Sequence, residues 1–317
     1  MSNWIGNIYG KVRVEKLIAR GGMAEVYYGT HTTLNRPVAV KVLLSHLEDQ
    51  TELKTRFERE ARVLAGLRHP NLVQIYDFDV INGQPFIVME YINGPSLTPY
   101  LRSIHANGGR MTLTEIGRLM VMLAAALDYA HAHGVIHRDV KPANVLLTSK
   151  SGEPALGHPL PEDIEPILTD FGLLLLTDAS SRSISGTVAG TPAYMSPEQA
   201  RGDRVDHRTD LYSQGVMLYE MLAGKVPFEA DSTMGVLMKH IQEPPPPIPG
   251  LPIALQNVLD RVLAKKPGDR YISARELARA FLEAAGLTMA DVAPGYSITP
   301  QPQTVHPIPA LEQRSAL

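Results

Sequence analysis

A polar loop between two apolar stretches carries the side chains best suited to chemistry. Residues 137–144 read HRDVKPAN and supply a carboxylate, an ammonium and a carboxamide at Asp139, Lys141 and Asn144. A carboxylate can accept the proton of an attacking hydroxyl, an ammonium can neutralise a transferring phosphate, and a carboxamide oxygen can bind Mg²⁺. Isolated loop residues of these types usually satisfy only their own backbone. The ordered pattern of eight positions instead favours phosphoryl transfer.

Composition limits the class of protein. The 317 residues are 44% hydrophobic and 20% charged, which indicates a globular chain with a sizeable core. A formal net charge of −3 argues against nucleic acid as a partner. The chain has no cysteine, which excludes disulfides and thiolate chemistry and fits a reducing compartment. Neither a signal peptide nor a membrane-spanning segment is expected, so we predict a cytoplasmic location.

The first part of the chain has the pattern of a β-sheet. Strands are predicted from about residue 9, with a small-residue turn at 19–24, and residues 37–44 form a nearly continuous apolar strand interrupted by Lys41. A buried lysine needs a partner, although a lone lysine could also extend its charge to solvent. A helix is predicted over residues 51–67, where Glu60 and Glu58 are the competing carboxylates, and two further strands over 72–78 and 85–89.

The second part is mainly helical. A long helix is predicted from Thr112 to Gly134, with Thr112 or Thr114 as a suitable N-cap. Residues 148–166 are rich in glycine and proline and predict an inserted surface loop without an assigned role. A strand then leads into Asp170-Phe171-Gly172. The globular pattern ends near Gly286, and residues 287–317, with five prolines, predict a flexible tail.

These motifs, in this order, resemble the catalytic domain of protein kinases, in particular bacterial serine/threonine kinases of the eukaryotic-like (Hanks) type. The resemblance rests on HRDVKPAN, on DFG at 170–172 and on GTPAYMSPE at 190–198, and covers residues 8–286. It implies a two-lobed α+β fold. Residues 1–7 would be a leader, 8–92 a small antiparallel β-sheet lobe with one helix and a hinge, and 93–286 a mainly helical lobe.

The resemblance implies roles for the residues that carry out transfer. Asp139 would orient the hydroxyl, and Lys141 would neutralise charge on the phosphate. Lys41, paired with Glu60, would orient the α- and β-phosphates. Asn144 and Asp170 would hold Mg²⁺ or Mn²⁺. The remaining expected contact is that of Thr191 with Asp139 and Lys141, which is typical of the serine/threonine branch.

The resemblance also implies an ATP site. Its phosphate loop would contain Ala19, Gly21 and Gly22, although Ala19 and Ala24 stand where glycines are usual. The adenine would lie between apolar side chains and take hydrogen bonds from the hinge backbone, with Met89 at the gatekeeper position. The residues expected around the base are Val26, Ala39, Leu146, Glu90 and Ile92.

Other residues would control and support the site. Residues 170–198 would form the activation segment, with Ser183, Ser185 and Thr187 as phospho-acceptors and Arg138 as the phosphate's partner. The expected structural residues are His137, Phe171, Asp210 bracing the catalytic loop, and Glu198 in a buried ion pair with Arg270.

The implied reaction transfers the γ-phosphoryl group of ATP to serine or threonine hydroxyls of protein substrates, with autophosphorylation and a possible homodimer that phosphorylates in trans. Two other classes stay open. A nucleotide-binding scaffold without turnover would explain Ala19 and Ala24. A small-molecule phosphotransferase can share the loop from Asp139 to Asn144, but it would not need the peptide-presenting segment at 190–198.

Overall fold

The computed structural model describes residues 4–21, 24–43, 61–81, 83–171 and 192–294. Its first part is an antiparallel sheet with the strand order β1-β2-β3-β4-β6-β5. The strands are β1 Ile8–Tyr9, β2 Val12–Arg20, β3 Ala24–His31, β4 Arg36–Leu43, β5 Ile75–Ile81 and β6 Gln84–Glu90. The predicted helix over 51–67 lies partly outside the described residues, and its described end, residues 61–65, is helical.

The side chains of β4 point alternately to the two faces of this sheet. Val38, Val40 and Val42 are fully buried and pack with Tyr27 and Phe86 in one cluster. Successive side chains of a strand point to opposite faces, so Ala39 and Lys41 lie on the other face. That second face looks toward the rest of the chain and forms one wall of a cleft.

The second part is built from helices with a small sheet. The helices are α1 Leu97–Ala106, α2 Leu113–Ala132, α3 Pro197–Arg201, α4 Arg208–Ala223, α5 Thr233–Gln242, α6 Ile253–Val262, α7 Ala274–Ala285 and α8 Met289–Val292. Strands β7 Val145–Thr148 and β8 Glu165–Leu168 pair antiparallel, with Val145 opposite Leu168. The α+β architecture with a sheet lobe and a helical lobe confirms the predicted fold class.

Helix α2 forms the centre of the helical lobe. Its apolar positions, including Ile116, Leu119 and Leu123, are buried. Thr112 caps its first turn through a capping box with Glu115, whose carboxylate accepts the Thr112 N–H at 2.7 Å. The helix ends before Gly134, which has a φ of +75° that suits glycine. The loop that carries Asp139 follows directly.

Strand β5 begins three residues later than the predicted start at residue 72. The preceding residues pair instead with the small sheet of the helical lobe. Leu72 forms a parallel bridge with Leu168, and the Val73 N–H donates to the Leu168 carbonyl at 3.0 Å. This backbone pairing links the two lobes beside the cleft.

The prediction that residues 1–7 form a leader is corrected for residues 4–7, which the structure describes. Trp4 is buried at 3% exposure against the rings of Tyr9 and Phe86. The Gly6 N–H donates to the Val14 carbonyl at 2.8 Å. Residues 4–7 therefore belong to the sheet lobe, because a large aromatic side chain gains more from burial than from solvent exposure.

The prediction of residues 148–166 as a surface loop is also corrected. Ile164 is fully buried and Leu160 nearly so. The Leu160 N–H donates to Glu115 at 2.7 Å, and the Arg118 guanidinium donates to the Pro161 carbonyl at 3.2 Å. The segment crosses α2 and adds two aliphatic side chains to the main core.

The folded region extends beyond the predicted end at Gly286. Val292 is fully buried, and its carbonyl accepts a hydrogen bond from Arg118 at 2.9 Å. A Cβ at Gly117 would come within 2.9 Å of Val292, so the glycine permits this close approach of α8 to α2. The segment 287–293 therefore packs on α2 through Val292, and residues 295–317 lie outside the described residues. No helix in the described ranges is long and apolar enough to cross a membrane.

Candidate active site

The polar loop between α2 and β7 holds three functional groups in contact. The Asn144 Nδ2 donates to the Asp139 carbonyl at 2.8 Å and to its Oδ2 at 2.9 Å. The Lys141 ammonium lies 2.8 Å from the same Oδ2. Asp139 Oδ1 accepts no bond from any described residue. The Asp139 side chain is 37% exposed.

Asp210 of α4 fixes the backbone of this loop. Its fully buried carboxylate accepts the His137 N–H at 2.8 Å and the Arg138 N–H at 2.7 Å. His131 Nε2 lies 2.7 Å from the Asp210 Oδ2. Arg138 has a φ of +66°, which is unfavourable for a residue with a side chain. The Asp210 carboxylate therefore offsets backbone strain directly before Asp139.

His137 connects the loop to the strand end that carries Asp170. Its Nε2 lies 2.8 Å from the Thr169 carbonyl, and its Nδ1 lies 3.2 Å from the Asp139 N–H. A carbonyl requires a donor and an N–H requires an acceptor. These contacts fit a neutral imidazole protonated at Nε2. The Phe171 ring packs on His137 with centroids 4.6 Å apart.

Asp170 lies opposite Lys41 across the cleft. The Lys41 ammonium is 2.8 Å from Asp170 Oδ1, and Lys41 is 7% exposed. Burial acts to raise the pKa of Asp170, but neighbouring positive charge, led by the Lys41 ammonium, outweighs it, so the pKa lies below its ordinary value. Glu60, the partner predicted for Lys41, falls outside the described residues. Among the described residues, the Lys41 ammonium therefore forms an ion pair with the Asp170 carboxylate.

The residues predicted to bind a divalent metal ion lie close together. The Thr169 N–H donates to the Asn144 carbonyl at 2.8 Å, which joins the two segments immediately before Asp170. Asn144 Oδ1 and Asp170 Oδ2 accept no hydrogen bond from residues in the described ranges. One carboxylate and one carboxamide oxygen are hard ligands of the kind Mg²⁺ prefers. The donor set fits that ion.

The cleft wall formed by the sheet contains the predicted base-binding residues. In the strand register Val26 lies opposite Lys41, and Ala39 lies opposite Met89. Ala39 and Met89 are buried in a cluster with Val73 and Ile167. Val26 and Ile92 pack against this cluster, Leu146 is half-buried on β7, and Glu90 ends β6.

The tip of the β2–β3 hairpin is closed by one backbone bond. The Gly21 N–H donates to the Ala24 carbonyl at 2.8 Å, and Ala19 lies opposite Val26. Gly22 falls outside the described residues. The hairpin therefore keeps its strand pairing up to Arg20 and Glu25, although alanine stands at positions 19 and 24.

The described end of the proposed peptide-presenting segment is attached to the catalytic loop. Thr191, Ser183, Ser185 and Thr187 lie outside the described residues. From Pro192 onward the chain is described. The Gln199 side chain donates to the Arg138 carbonyl at 2.8 Å. Sequence reasoning did not assign Gln199 a role, although its spacing from Ser196 is that of a capping box.

A buried ion pair anchors the same segment to the helical lobe. Arg270 donates to the two Glu198 carboxylate oxygens at 2.7 and 2.8 Å, and the Thr209 hydroxyl donates to one of them at 2.8 Å. Burial acts to raise the pKa of Glu198, but the Arg270 bonds outweigh it, so the pKa lies below its ordinary value.

Comparison with known proteins agrees with this geometry. The family model of the protein kinase domain matches residues 12–282. The chain is 40% identical over 276 residues to the serine/threonine-protein kinase pkn3 of Myxococcus xanthus, covering 83% of this chain and 48% of that protein. It is 38% identical over 280 residues to the serine/threonine-protein kinase PknA of Mycobacterium tuberculosis, covering 86% of this chain and 61% of that protein.

A solved structure of a kinase domain is similar to this chain. The PknI kinase domain of Mycobacterium tuberculosis superposes with a TM-score of 0.69 at 30% identity, covering 88% of this chain and 98% of that one. The chain spans about half to three fifths of the two curated relatives, so both extend beyond the matched part. Family model, relatives and fold agree that this chain belongs to the protein kinase family, as a serine/threonine kinase domain of the bacterial Hanks type.

Proposed function

We propose that the protein transfers the γ-phosphoryl group of ATP to serine or threonine hydroxyls of proteins. The observation that carries the proposal is the Asp139 carboxylate, which is held by Lys141 and Asn144 through Oδ2, while its Oδ1 accepts no bond from the described residues. This group lies in the same cleft as the Lys41–Asp170 pair. A proton acceptor, an ammonium and two metal-ligand oxygens are the groups that phosphoryl transfer requires.

Each side chain has a defined part in the proposed step. Asp139 would accept the proton of the substrate hydroxyl. The hydroxyl oxygen would at the same time form a bond to the γ-phosphorus, and the bond between the γ-phosphorus and ADP would break. Lys141 would neutralise negative charge on the transferring group, and Lys41 would orient the α- and β-phosphates. Asn144 and Asp170 would hold Mg²⁺ or Mn²⁺, which when bound would neutralise charge on the triphosphate.

Other parts of the cleft would bind ATP. The hairpin residues Ala19, Gly21 and Gly22 would approach the phosphates through backbone N–H groups. The side chains of Val26, Ala39 and Leu146 would enclose the adenine, and the hinge backbone at Glu90 and Ile92 would take its polar edge. The reaction would take place in the cytoplasm, where ATP is available.

The link between Gln199 and Arg138 supports a protein as the acceptor. This bond attaches the segment after Thr191 to the residue that precedes Asp139. A phosphotransferase for small molecules would not need a peptide-presenting segment fastened to its catalytic loop. We further propose that Thr191 contacts Asp139 and Lys141. Phosphorylation within a homodimer at Ser183, Ser185 and Thr187 would engage Arg138.

The acceptor class can be tested directly. The purified protein is incubated with Mg²⁺ and [γ-³²P]ATP, together with casein, with an aminoglycoside or with choline. We expect label on protein only, and phosphoamino acid analysis should find it on serine and threonine. Label on a small molecule without label on protein would contradict the proposal. Nucleotide binding without any transfer would favour the scaffold.

A further inference from the structure

Two tyrosines from different parts of the sheet lobe meet at the edge of the nucleotide cleft. The rings of Tyr28 on β3 and Tyr91, which follows β6, lie 4.9 Å apart between centroids at an angle of 86°. This is the edge-to-face arrangement that aromatic pairs favour. Both side chains are half-buried, so each retains a surface open to the cleft or to solvent.

The strand register places Tyr28 in the row of residues around the proposed base site. Tyr28 lies opposite Ala39, and Ala39 lies opposite Met89. Directly opposed residues of antiparallel strands share a face of the sheet. The Tyr28 ring therefore projects from the cleft face, and Val26 lies two residues earlier on the same face.

The Tyr91 side chain reaches this row from the hinge. It packs against the cluster that contains Ala39, Met89 and Ile167. Its contact with Tyr28 thus passes beneath β4, which lies between β3 and β6 in the sheet. Ala39 has a small side chain, and Tyr28, Tyr91 and Met89 lie around it on β3, at the hinge and on β6.

Lys16 supports the pair from the neighbouring strand. It lies opposite Tyr28 in the register, and its ammonium is 5.1 Å from the centroid of the Tyr28 ring. A cation at this distance from an aromatic face is attracted to it. The Tyr28 ring therefore interacts with both Lys16 and Tyr91.

We propose that the Tyr28–Tyr91 pair forms the outer wall of the nucleotide-base site and sets the affinity for adenine nucleotides. This inference rests on the proposed function, because it assigns the site beneath Ala39 to the base. Breaking an aromatic pair of this kind changes an equilibrium constant by about twofold to tenfold. The pair touches neither Asp139 nor Lys141 among the contacts of the described residues, so it acts on binding rather than on transfer.

Isothermal titration calorimetry with ADP and with a non-hydrolysable ATP analogue tests the proposal. The proteins are the parent, Tyr28→Leu, Tyr91→Leu, the double variant and Tyr28→Phe. Leu34→Ala, at an exposed turn of the same sheet, is the matched control. Each Leu variant should raise Kd about fivefold, and the double variant should raise it no further than either single variant. Tyr28→Phe keeps the ring and should restore the parent affinity.

Kinetics and folding separate the possible outcomes. We expect the KM for ATP to rise in both Leu variants while kcat changes less than twofold. Circular dichroism melting identifies any variant that does not fold, in which case the remaining single variant and Tyr28→Phe decide the result. Parent-like Kd values in folded Leu variants, or additive effects in the double variant, would overturn the inference. A parent protein that binds neither nucleotide would overturn the proposed function itself.

Discussion

The carboxylate of Asp210 accepts the backbone N–H of Arg138 at 2.7 Å, at a residue whose φ is +66°. A left-handed conformation costs a residue with a side chain about 1–2 kcal/mol. Asp210 offsets this cost and also receives the His137 N–H and the His131 ring. The position of Asp139 therefore depends on a helix that begins about 70 residues later in the chain.

Replacing Asp210 with asparagine should disturb both stability and transfer. An amide presents only one oxygen to three donors, and each buried donor left unpaired costs about 1–3 kcal/mol. We expect Asp210→Asn to lower the free energy of unfolding in urea by about 2–4 kcal/mol and to lower phosphoryl transfer more than tenfold. Asp231→Asn, at an exposed loop position, should change neither quantity. Parent-like stability and activity in Asp210→Asn would contradict the bracing role.

The Glu198–Arg270 pair should make stability depend on pH. The folded-state pKa of Glu198 lies below its ordinary value of 4.5, so the unfolded chain binds this proton more readily. The stability from this carboxylate is present in full above pH 4.5. It is lost as the pH falls through the lower folded-state pKa.

Urea unfolding at a series of pH values from 6 to 3 measures this effect. The parent should be more stable than Glu198→Gln at pH 6, and the difference should shrink as the pH falls below 4.5. A constant difference across the series would show that ionisation of Glu198 does not contribute. The bidentate contact is buried at both residues, so salt should screen it little.

The segment at 149–164 offers a matched pair of aliphatic side chains. Ile164 is fully buried, whereas Leu156 is 48% exposed. Truncating a buried aliphatic side chain costs about 2–5 kcal/mol, and an exposed one about 0.5 kcal/mol or less. We therefore expect Ile164→Ala to lower the melting temperature clearly and Leu156→Ala to leave it nearly unchanged. Equal, small effects would restore the interpretation of this segment as a surface loop.

Trp4 gives a spectroscopic signal for the sheet lobe, because it is the chain's one tryptophan. Its indole is buried among Tyr9, Tyr27 and Phe86. Fluorescence emission should shift to longer wavelength as urea unfolds the sheet, and Trp4→Phe should remove the signal. Trp4→Ala should destabilise the lobe by about 3–5 kcal/mol, while Ile5→Ala, at 45% exposure, should not. Solvent-like emission from the native protein would contradict the burial of Trp4.

The fold and the centre of the site were predictable because their signals are local. The spacing of Asp139, Lys141 and Asn144 lies within one loop, so their mutual contact follows from a short stretch of chain. Helix α2 was predicted within two residues at each end, because a threonine N-cap and a terminal glycine are local signals as well, and the structure selects Thr112 over Thr114 as the cap. The strand that carries Ala39 and Lys41 was predictable too, because it is a nearly continuous apolar run interrupted by one lysine.

What sequence reasoning missed depends on contacts between distant residues. No local pattern indicates that Leu72 and Val73 pair with Leu168 in the other lobe instead of extending β5. The same holds for Ile164, since glycine and proline in its segment predict a loop but do not reveal that two aliphatic side chains are buried in the main core. The Tyr28–Tyr91 contact required both the register of three strands and the path of the hinge.

The most direct test of the central claim is the intact mass of the dephosphorylated protein over time in Mg²⁺ and ATP, measured beside Asp139→Asn. We expect a stepwise gain of phosphate in the parent. The variant should gain at least about a hundredfold more slowly, because a general base contributes about 10²–10⁴-fold to the rate. Equal gains in the two proteins would contradict the proposed role of Asp139. A parent that binds ATP yet transfers phosphate neither to itself nor to casein would contradict the proposed activity.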